Sequence, residues 1–453
     1  MSSNHNFAYY NTVDQIYHAE WSIPKLARQA LLHESINTLW PNGHPTQLIH
    51  VAGTSGKGST CRFLELGLGT VGRSGAFVGP HLFDYRERFS IRGQFAEPDD
   101  ITKVWETRIK PHCIQLALRN QDHVHTFYDT SILIALALFD LHEIEWAAVE
   151  PGIGGRYDQT RGLDVVATVL TNVGSDHASV LGSQLWQRVM DKAGIARAHV
   201  PFFTSETDEE NLAVVTSICD AVHAPLRCIA PQHVDAFRRT LDAYVQTQNS
   251  DSVLAKNALL SSSFQHQNAA LAYGVIENLL PYIDPMLVCA AFCQATLPGR
   301  FSQIEENIYI DMAHNAEKIT ALVHELERQF PAQRFMFVVG MSKGRSPAKV
   351  FPPLFKVAST IIITNASFKG FEPEEVRAQL QALQGDVDIH VILDPTEALD
   401  SARALCTDDE KIVVTGSTYM IEQMLNPDPY LRHMNATFGW RVGGDVLGSG
   451  VVR

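Results

Sequence analysis

No apolar run in the sequence approaches the ~18 residues that a membrane-crossing helix needs, so no membrane span is expected. Seven cysteines are scattered with no Cys-x-x-Cys pair. That argues against a disulfide framework or a zinc ribbon and fits a reducing compartment. Cys289 and Cys293, four apart in a helical pattern, read as a buried apolar pair. Positive charge is also short: 36 Lys and Arg stand against 50 Asp and Glu, a formal charge of −14. This balance disfavours nonspecific binding to nucleic acid or to anionic membranes. It leaves room for a local basic site that faces an anionic substrate. Residues 1–6 are polar and carry no apolar signal core, so the expected location is cytoplasmic. Repeats and low-complexity tracts are absent as well.

What remains is a chain of 453 residues, 45% hydrophobic and 19% charged, enough for two or three domains with ample cores. Apolar strands alternate with amphipathic helices. Residues 48–52, 146–149 and 165–170 read as strands and 130–141 as a helix. Such alternation predicts an α/β fold whose mostly parallel sheet is covered by helices on both faces. A second, smaller, Rossmann-like α/β block follows Leu297-Pro-Gly-Arg300, with strands expected at 308–311, 335–340, 360–364, 388–393 and 411–415. Helices are expected at 318–329 and 373–383. The expected organisation is a first domain over 1–296, a second over 297–425 and an irregular tail over 426–453. Residues 233–262, polar and weakly periodic, read as an elaborated loop or a helical pair.

The first segment that carries chemistry is Gly53-Thr-Ser-Gly-Lys-Gly-Ser-Thr60, directly after a buried strand. Gly53, Gly56 and Gly58 allow the tight turn that aims backbone N–H groups at a phosphate. Lys57 adds positive charge, Ser59 a hydroxyl for a magnesium ion, and Thr54 and Thr60 flank them. A helix from Cys61 would place its positive end behind the phosphates. The standard phosphate-loop pattern requires glycine at the position of Val51 and Ser or Thr at Gly58, so the match is partial. An ordinary strand–helix turn would use the same glycines.

Other segments also sit just beyond predicted strands, where ligands bind in open α/β sheets. Glu150 precedes a run of three glycines that ends in Arg156 and Asp158. Glu150 suits a magnesium ion beside phosphates, or is a solvated strand end; Arg156 and Asp158 suit a ligand, or pair with each other. Asn172-Val-Gly-Ser-Asp-His177 offers His177 as a metal ligand or a structural histidine. Asp191-Lys192 reads by itself as surface. Asn268 near a helix start suits an adenine edge or a cap. Arg300 at the proposed hinge suits a triphosphate across an interdomain cleft. Asp311 suits ribose hydroxyls, and His314 with Asn315 suits substrate orientation.

In this order the segments resemble the Mur ligase superfamily, and within it the folylpolyglutamate synthase and dihydrofolate synthase family, over most of residues 47–420. Gly79-Pro-His-Leu82 with Glu87-Arg88, and Thr415-Gly-Ser417, complete the set. The resemblance implies an ATP-dependent amide ligase: a folate or dihydropteroate carboxylate takes the γ-phosphate, and the amine of L-glutamate then attacks the acyl phosphate. It implies ATP bound by Gly53–Thr60, Asn268, Arg300 and Asp311, with His314 nearby and catalytic. It implies two magnesium ions, one at Ser59 and Glu150 and one at His177 and a carbamylated Lys192. Pro80, His81, Leu82 and Arg88, with Arg156 and Asp158, fall on the substrate side, and the family implies a monomer. The chain departs from the pattern at Ser55 (usually Asn), Gly79 (Ser), Pro151 (a small apolar residue), Gln159 and Arg161 (Ala and Asn), Asp191 (Glu), Phe264 (His), Met312 (Gly) and Ala316 (Pro). A ligase for another carboxylate, or a degenerate nucleotide-binding regulator, are the alternatives.

Overall fold

The computed structural model describes residues 7–17, 25–120, 124–175, 181–248, 253–383, 387–407, 409–426 and 428. They form two compact units. One holds the described residues up to Ala255 together with Gln265–Ala295; the other holds Lys256–Phe264 and the described residues from Thr296 onward.

The first unit is built on eight strands: β1 Gln47–Ala52, β2 Ser74–Phe77, β3 Phe89–Ile91, β4 Gln94–Phe95, β5 Trp146–Val149, β6 Ala167–Leu170, β7 Phe202–Thr204 and β8 Leu226–Cys228. Their order is β4-β3-β2-β5-β1-β6-β7-β8. β2, β5, β1, β6, β7 and β8 run parallel, while β2, β3 and β4 pair antiparallel at one edge. β1 lies at the centre, and only Gln47 of its six residues is exposed. Its Leu-Ile-His-Val-Ala run suits a strand buried on both faces.

Helices cover this sheet. Phe127–Leu141 starts in a capping box, where Thr126 accepts from Asp129 N and the Asp129 side chain accepts from Thr126 N. That reciprocal pair satisfies two otherwise orphaned donors. Its start lies three residues before the Thr130 expected from apolar spacing. Lys57–Leu68 packs against the helix Gln265–Leu279. Gly67 makes the close approach possible, because a Cβ there would lie 2.5 Å from Ile276 Cδ1. Within 233–262, residues up to Thr247 belong to the helix Pro231–Thr247, and Leu259–Ser261 forms a single tight turn.

The second unit holds β9 Ser302–Glu305, β10 Ile308–Ile310, β11 Phe335–Val339, β12 Ala358–Ile363, β13 Asp388–Val391 and β14 Lys411–Thr415, in the order β13-β12-β11-β14-β10-β9. Among these described strands, only the β9–β10 pairing is antiparallel. Phe335, Phe337 and Val339 of β11 pack with Ile319, Leu322, Val323 and Leu326, the apolar stripe of the helix Ala316–Gln329. Lys256–Phe264 joins this unit through polar contacts. Asn257 exchanges hydrogen bonds with the Gln303 backbone, and Glu325 accepts from Ser263 N and Oγ. The two units together are the α/β architecture that strand–helix alternation predicts. Among the described residues, no helix is long and apolar enough to cross a membrane.

Candidate active site

β1 ends at Ala52, and the glycine-rich loop follows. Gly56 has φ +82°, in the left-handed region that glycine enters without a Cβ penalty. This turn starts the helix at Lys57 itself, four residues before the expected Cys61. Lys57, Gly58, Ser59 and Thr60 therefore form its first turn, whose leading N–H groups have no intrahelical acceptor. Those groups and the helix dipole make an anion site.

The end of β6 braces the loop. Thr54 N donates to Asn172 O at 2.9 Å, Ser55 N to Asn172 Oδ1 at 3.0 Å, and Gly174 N to Thr54 Oγ1 at 2.9 Å. Thr171 Oγ1 donates to Ser55 O at 2.6 Å. A Cβ on Gly53 would lie 1.8 Å from Thr171 Oγ1, so nothing larger fits. Asn268 is buried against Gly56, where a Cβ would meet its Oδ1 at 2.2 Å. Its Nδ2 donates to Gln265 Oε1 at 2.8 Å.

Glu150, at the end of β5, is brought to Lys57: Oε1 lies 3.5 Å from Lys57 Nζ, while Oε2 accepts from Gly79 N at 3.2 Å. Tyr128 Oη donates to the Glu150 carbonyl at 2.7 Å. Lys192, expected on the surface from spacing alone, is buried, and its Nζ donates to Gly53 O at 3.1 Å. A buried cation is costly unless it is paired or modified. The neighbouring Asp191 accepts from Gly155 N at 3.0 Å. Lys57, Glu150, Lys192 and the loop thus converge on the carboxyl ends of β1 and β5. His177 lies outside the described residues. Among the described residues, no three His, Cys, Asp or Glu side chains form a metal cluster.

The 79–88 loop has its own framework. Glu87 gathers the N–H groups of Leu82, Phe83 and Asp84 at 2.6, 2.8 and 2.9 Å. Arg88 Nε donates to His81 Nδ1 at 2.8 Å, and its guanidinium lies 5.1 Å from the centre of the Phe127 ring. Pro80 follows Gly79 through a cis peptide bond. Tyr9 Oη donates to Asp84 Oδ1 at 2.5 Å, and burial pushes the Tyr9 hydroxyl pKa well above its usual value.

Arg156 and Asp158 do not face each other. Arg156 is exposed, with its guanidinium over the Tyr157 ring. Asp158 is buried and accepts from Gly152 N, Ile153 N, Thr160 N and Thr160 Oγ1. Burial raises its pKa, and these four donors oppose the shift.

In the second unit, Asp311 Oδ2 accepts from Phe301 N at 2.8 Å and Oδ1 from Ala313 N at 2.7 Å. Burial raises the Asp311 pKa, and the charge of Arg300 acts against it. Arg300 Nε is buried without a hydrogen-bond partner among the described residues. His314 Nδ1 donates to Met312 O at 2.8 Å, and Lys318 Nζ lies 3.2 Å from Nε2. Asn315 caps the helix Ala316–Gln329 through Lys318 N.

Tyr128, Thr171 and Asn172, which fix Glu150 and the loop, are not singled out by their residue types. Asn172 directly after an apolar strand was the available signal; Tyr128 gives none.

Residues 299–418 match the family model of the Mur ligase glutamate ligase domain. A Bacillus subtilis protein named dihydrofolate synthase/folylpolyglutamate synthase is 27% identical over 396 residues, covering 84% of this chain and 91% of that protein. Over most of its length the chain is similar to folylpolyglutamate synthases and dihydrofolate synthases. The dihydrofolate synthetase of Saccharomyces cerevisiae is 25% identical over 84% of this chain and 92% of its own. The mitochondrial folylpolyglutamate synthase of Bos taurus is 32% identical, with 66% of this chain matching 53% of that protein. Among solved structures, a Mycobacterium tuberculosis folylpolyglutamate synthase complexed with ADP superposes with a TM-score of 0.79 at 21% identity, over 92% of this chain and 97% of that one. A Yersinia pestis bifunctional folylpolyglutamate synthase/dihydrofolate synthase complexed with AMPPNP and Mn ion gives 0.73 at 22%, over 97% and 99%. At such identities these two likenesses establish the fold.

Proposed function

We propose that the chain is an ATP-dependent acid–amino-acid ligase that joins L-glutamate to a folate, to dihydropteroate, or to both. The observation that carries this reading is Lys57, at a helix N-terminus behind a braced glycine loop, 3.5 Å from the Glu150 carboxylate. The named activities of the full-length relatives add the substrate class.

The residues present fit a magnesium ion. Such an ion takes one or two protein oxygens and fills its shell with phosphate and water. Glu150 supplies a nearly buried carboxylate beside Lys57, and Ser59 a hydroxyl in the same helical turn. When bound, the ion neutralises charge on the β- and γ-phosphates. A second ion at His177 and Lys192 is part of the proposal, with Lys192 carbamylated. That modification would turn a cationic side chain into an oxygen ligand.

The chain's own residues then align and stabilise. The loop amides and Lys57 hold the transferring phosphate, which lowers the barrier for attack by the substrate carboxylate. The acyl phosphate loses phosphate when the glutamate amine attacks its carbonyl, and an amide forms. Asn268, Arg300 and Asp311 are read as nucleotide contacts and His314 as a catalytic neighbour. Pro80, His81, Leu82 and Arg88 are read as the carboxylate-substrate side, joined by Arg156 and Asp158. A monomer in the cytoplasm is the accompanying reading; seven free thiols fit a reducing compartment. The test is ADP release with glutamate and either dihydropteroate or tetrahydrofolate, with mass spectrometry of the amide. Release that needs both substrates supports the reading, and ATP turnover indifferent to both overturns it.

A further inference from the structure

The strand that delivers the phosphate loop also carries a buried histidine. His50 lies on β1, three residues before Gly53, and is inaccessible to solvent. Its Nε2 is 2.8 Å from Thr160 Oγ1, and Thr160 Oγ1 donates to Asp158 Oδ1 at 2.6 Å. A hydroxyl has one proton to give. Having given it to Asp158, Thr160 accepts from His50, which must therefore carry its proton on Nε2. Burial, with Arg197 and Arg161 nearby, pushes the His50 pKa well down and keeps the ring neutral. Its Nδ1 is buried with no hydrogen-bond partner among the described residues. An orphaned buried nitrogen costs ~1–3 kcal/mol, which an aliphatic residue at this position would avoid. Packing does not account for a histidine here, whereas its N–H to Thr160 does.

Asp158 passes the hold onward. Its Oδ2 accepts from Gly152 N at 3.0 Å and Ile153 N at 3.3 Å. Glu150 stands two residues before Gly152, with its carboxylate at Lys57. β1 thus reaches the site twice: along the chain to Lys57, and through His50, Thr160 and Asp158 to the backbone behind Glu150.

We propose that His50 and Thr160 are positioning residues, which set Glu150 against Lys57 by holding the Gly152–Ile153 backbone through Asp158. The proposal rests on the phosphate-loop reading above. Neither residue is proposed to touch the nucleotide.

Thr160→Val removes the hydroxyl at constant shape, and Thr160→Ser keeps it. Calorimetric titration with ADP, with and without magnesium, reads the effect apart from turnover. Thr160→Val is expected to weaken magnesium–ADP binding about fivefold to tenfold, the equivalent of one hydrogen bond. Metal-free ADP binding should stay near that of the parent, and Thr160→Ser should restore the magnesium-dependent gain. A Thr160→Val protein with a lowered unfolding midpoint but parental magnesium–ADP affinity overturns the proposal. Should that variant not fold, His50→Gln, which keeps an N–H near the Nε2 position, is compared with His50→Leu. Equal affinities in that pair also overturn it. A parent protein that binds no ADP refutes the phosphate-loop reading instead.

Discussion

Gly56→Ala is the most exacting perturbation of the site. Two costs follow from the geometry. An alanine at φ +82° loses ~1–2 kcal/mol to the left-handed conformation. Its Cβ would also stand 2.2 Å from Asn268 Oδ1 and 2.9 Å from Cγ, so Asn268 must swing away. That breaks its hydrogen bond to Gln265, worth ~1 kcal/mol. The sum is ~2–3 kcal/mol of stability. If Asn268 holds the nucleotide, its displacement also weakens ATP binding. The assay is a double-mutant cycle with Asn268→Ala, read by urea unfolding and by ATP affinity. Removing the Asn268 side chain relieves the clash and leaves only the backbone cost, so the two changes should couple by ~1 kcal/mol. Strict additivity in stability would refute the packing argument. Parental ATP affinity in Asn268→Ala would refute the role of Asn268 alone.

Lys57→Ala should abolish ligation while leaving the unfolding midpoint nearly unchanged; undiminished turnover would remove Lys57 from the phosphate site. Lys192→Ala should lose activity and recover part of it with added short carboxylates, which replace a carbamate; full activity without rescue counts against that modification. Asp129 is pushed up to about 6 by burial, and its Oδ1 has no hydrogen-bond partner among the described residues. A raised carboxyl adds stability that is complete below its unfolded value and lost as pH rises through about 6. Asp129→Asn should therefore stabilise the protein by up to ~2–3 kcal/mol at pH 7 and by little below pH 4, measured by urea unfolding at both values. Equal effects at the two pH values would place the destabilisation elsewhere.

The parallel core was legible because buried strands are written as short apolar runs: Trp146–Val149 and Lys411–Thr415 stand where the pattern places them. The antiparallel edge was not, since β3 and β4 are three and two residues long and follow directly on Glu87 and Arg88. Too few residues carry the alternation there. The helices Phe7–Tyr17 and Lys25–Leu39 were not legible either. In the site, Lys57 and Glu150 announce themselves by residue type next to strand ends. Lys192 does not: on spacing it is a surface lysine, and only the family resemblance assigned it chemistry. Its burial against Gly53 comes from long-range folding, which brings residues 139 positions apart into one hydrogen bond. Tyr128 holds the site through a hydrogen bond to the Glu150 carbonyl, which leaves no signature in residue order, whereas Asn172 at a strand end could be noticed but its contacts to Thr54 and Ser55 could not.

The bracing of the loop by the end of β6 divides its amides into two populations. Thr54 and Ser55 have already given their N–H groups to Asn172, so their deuterium exchange should be slow even without nucleotide. The leading amides of the helix that starts at Lys57 have no intrahelical acceptor, and they should slow only when a phosphate arrives. A mould set before the ligand enters spends little conformational entropy on closing around it. Exchange of these few adjacent amides would report occupancy of the loop one peptide at a time.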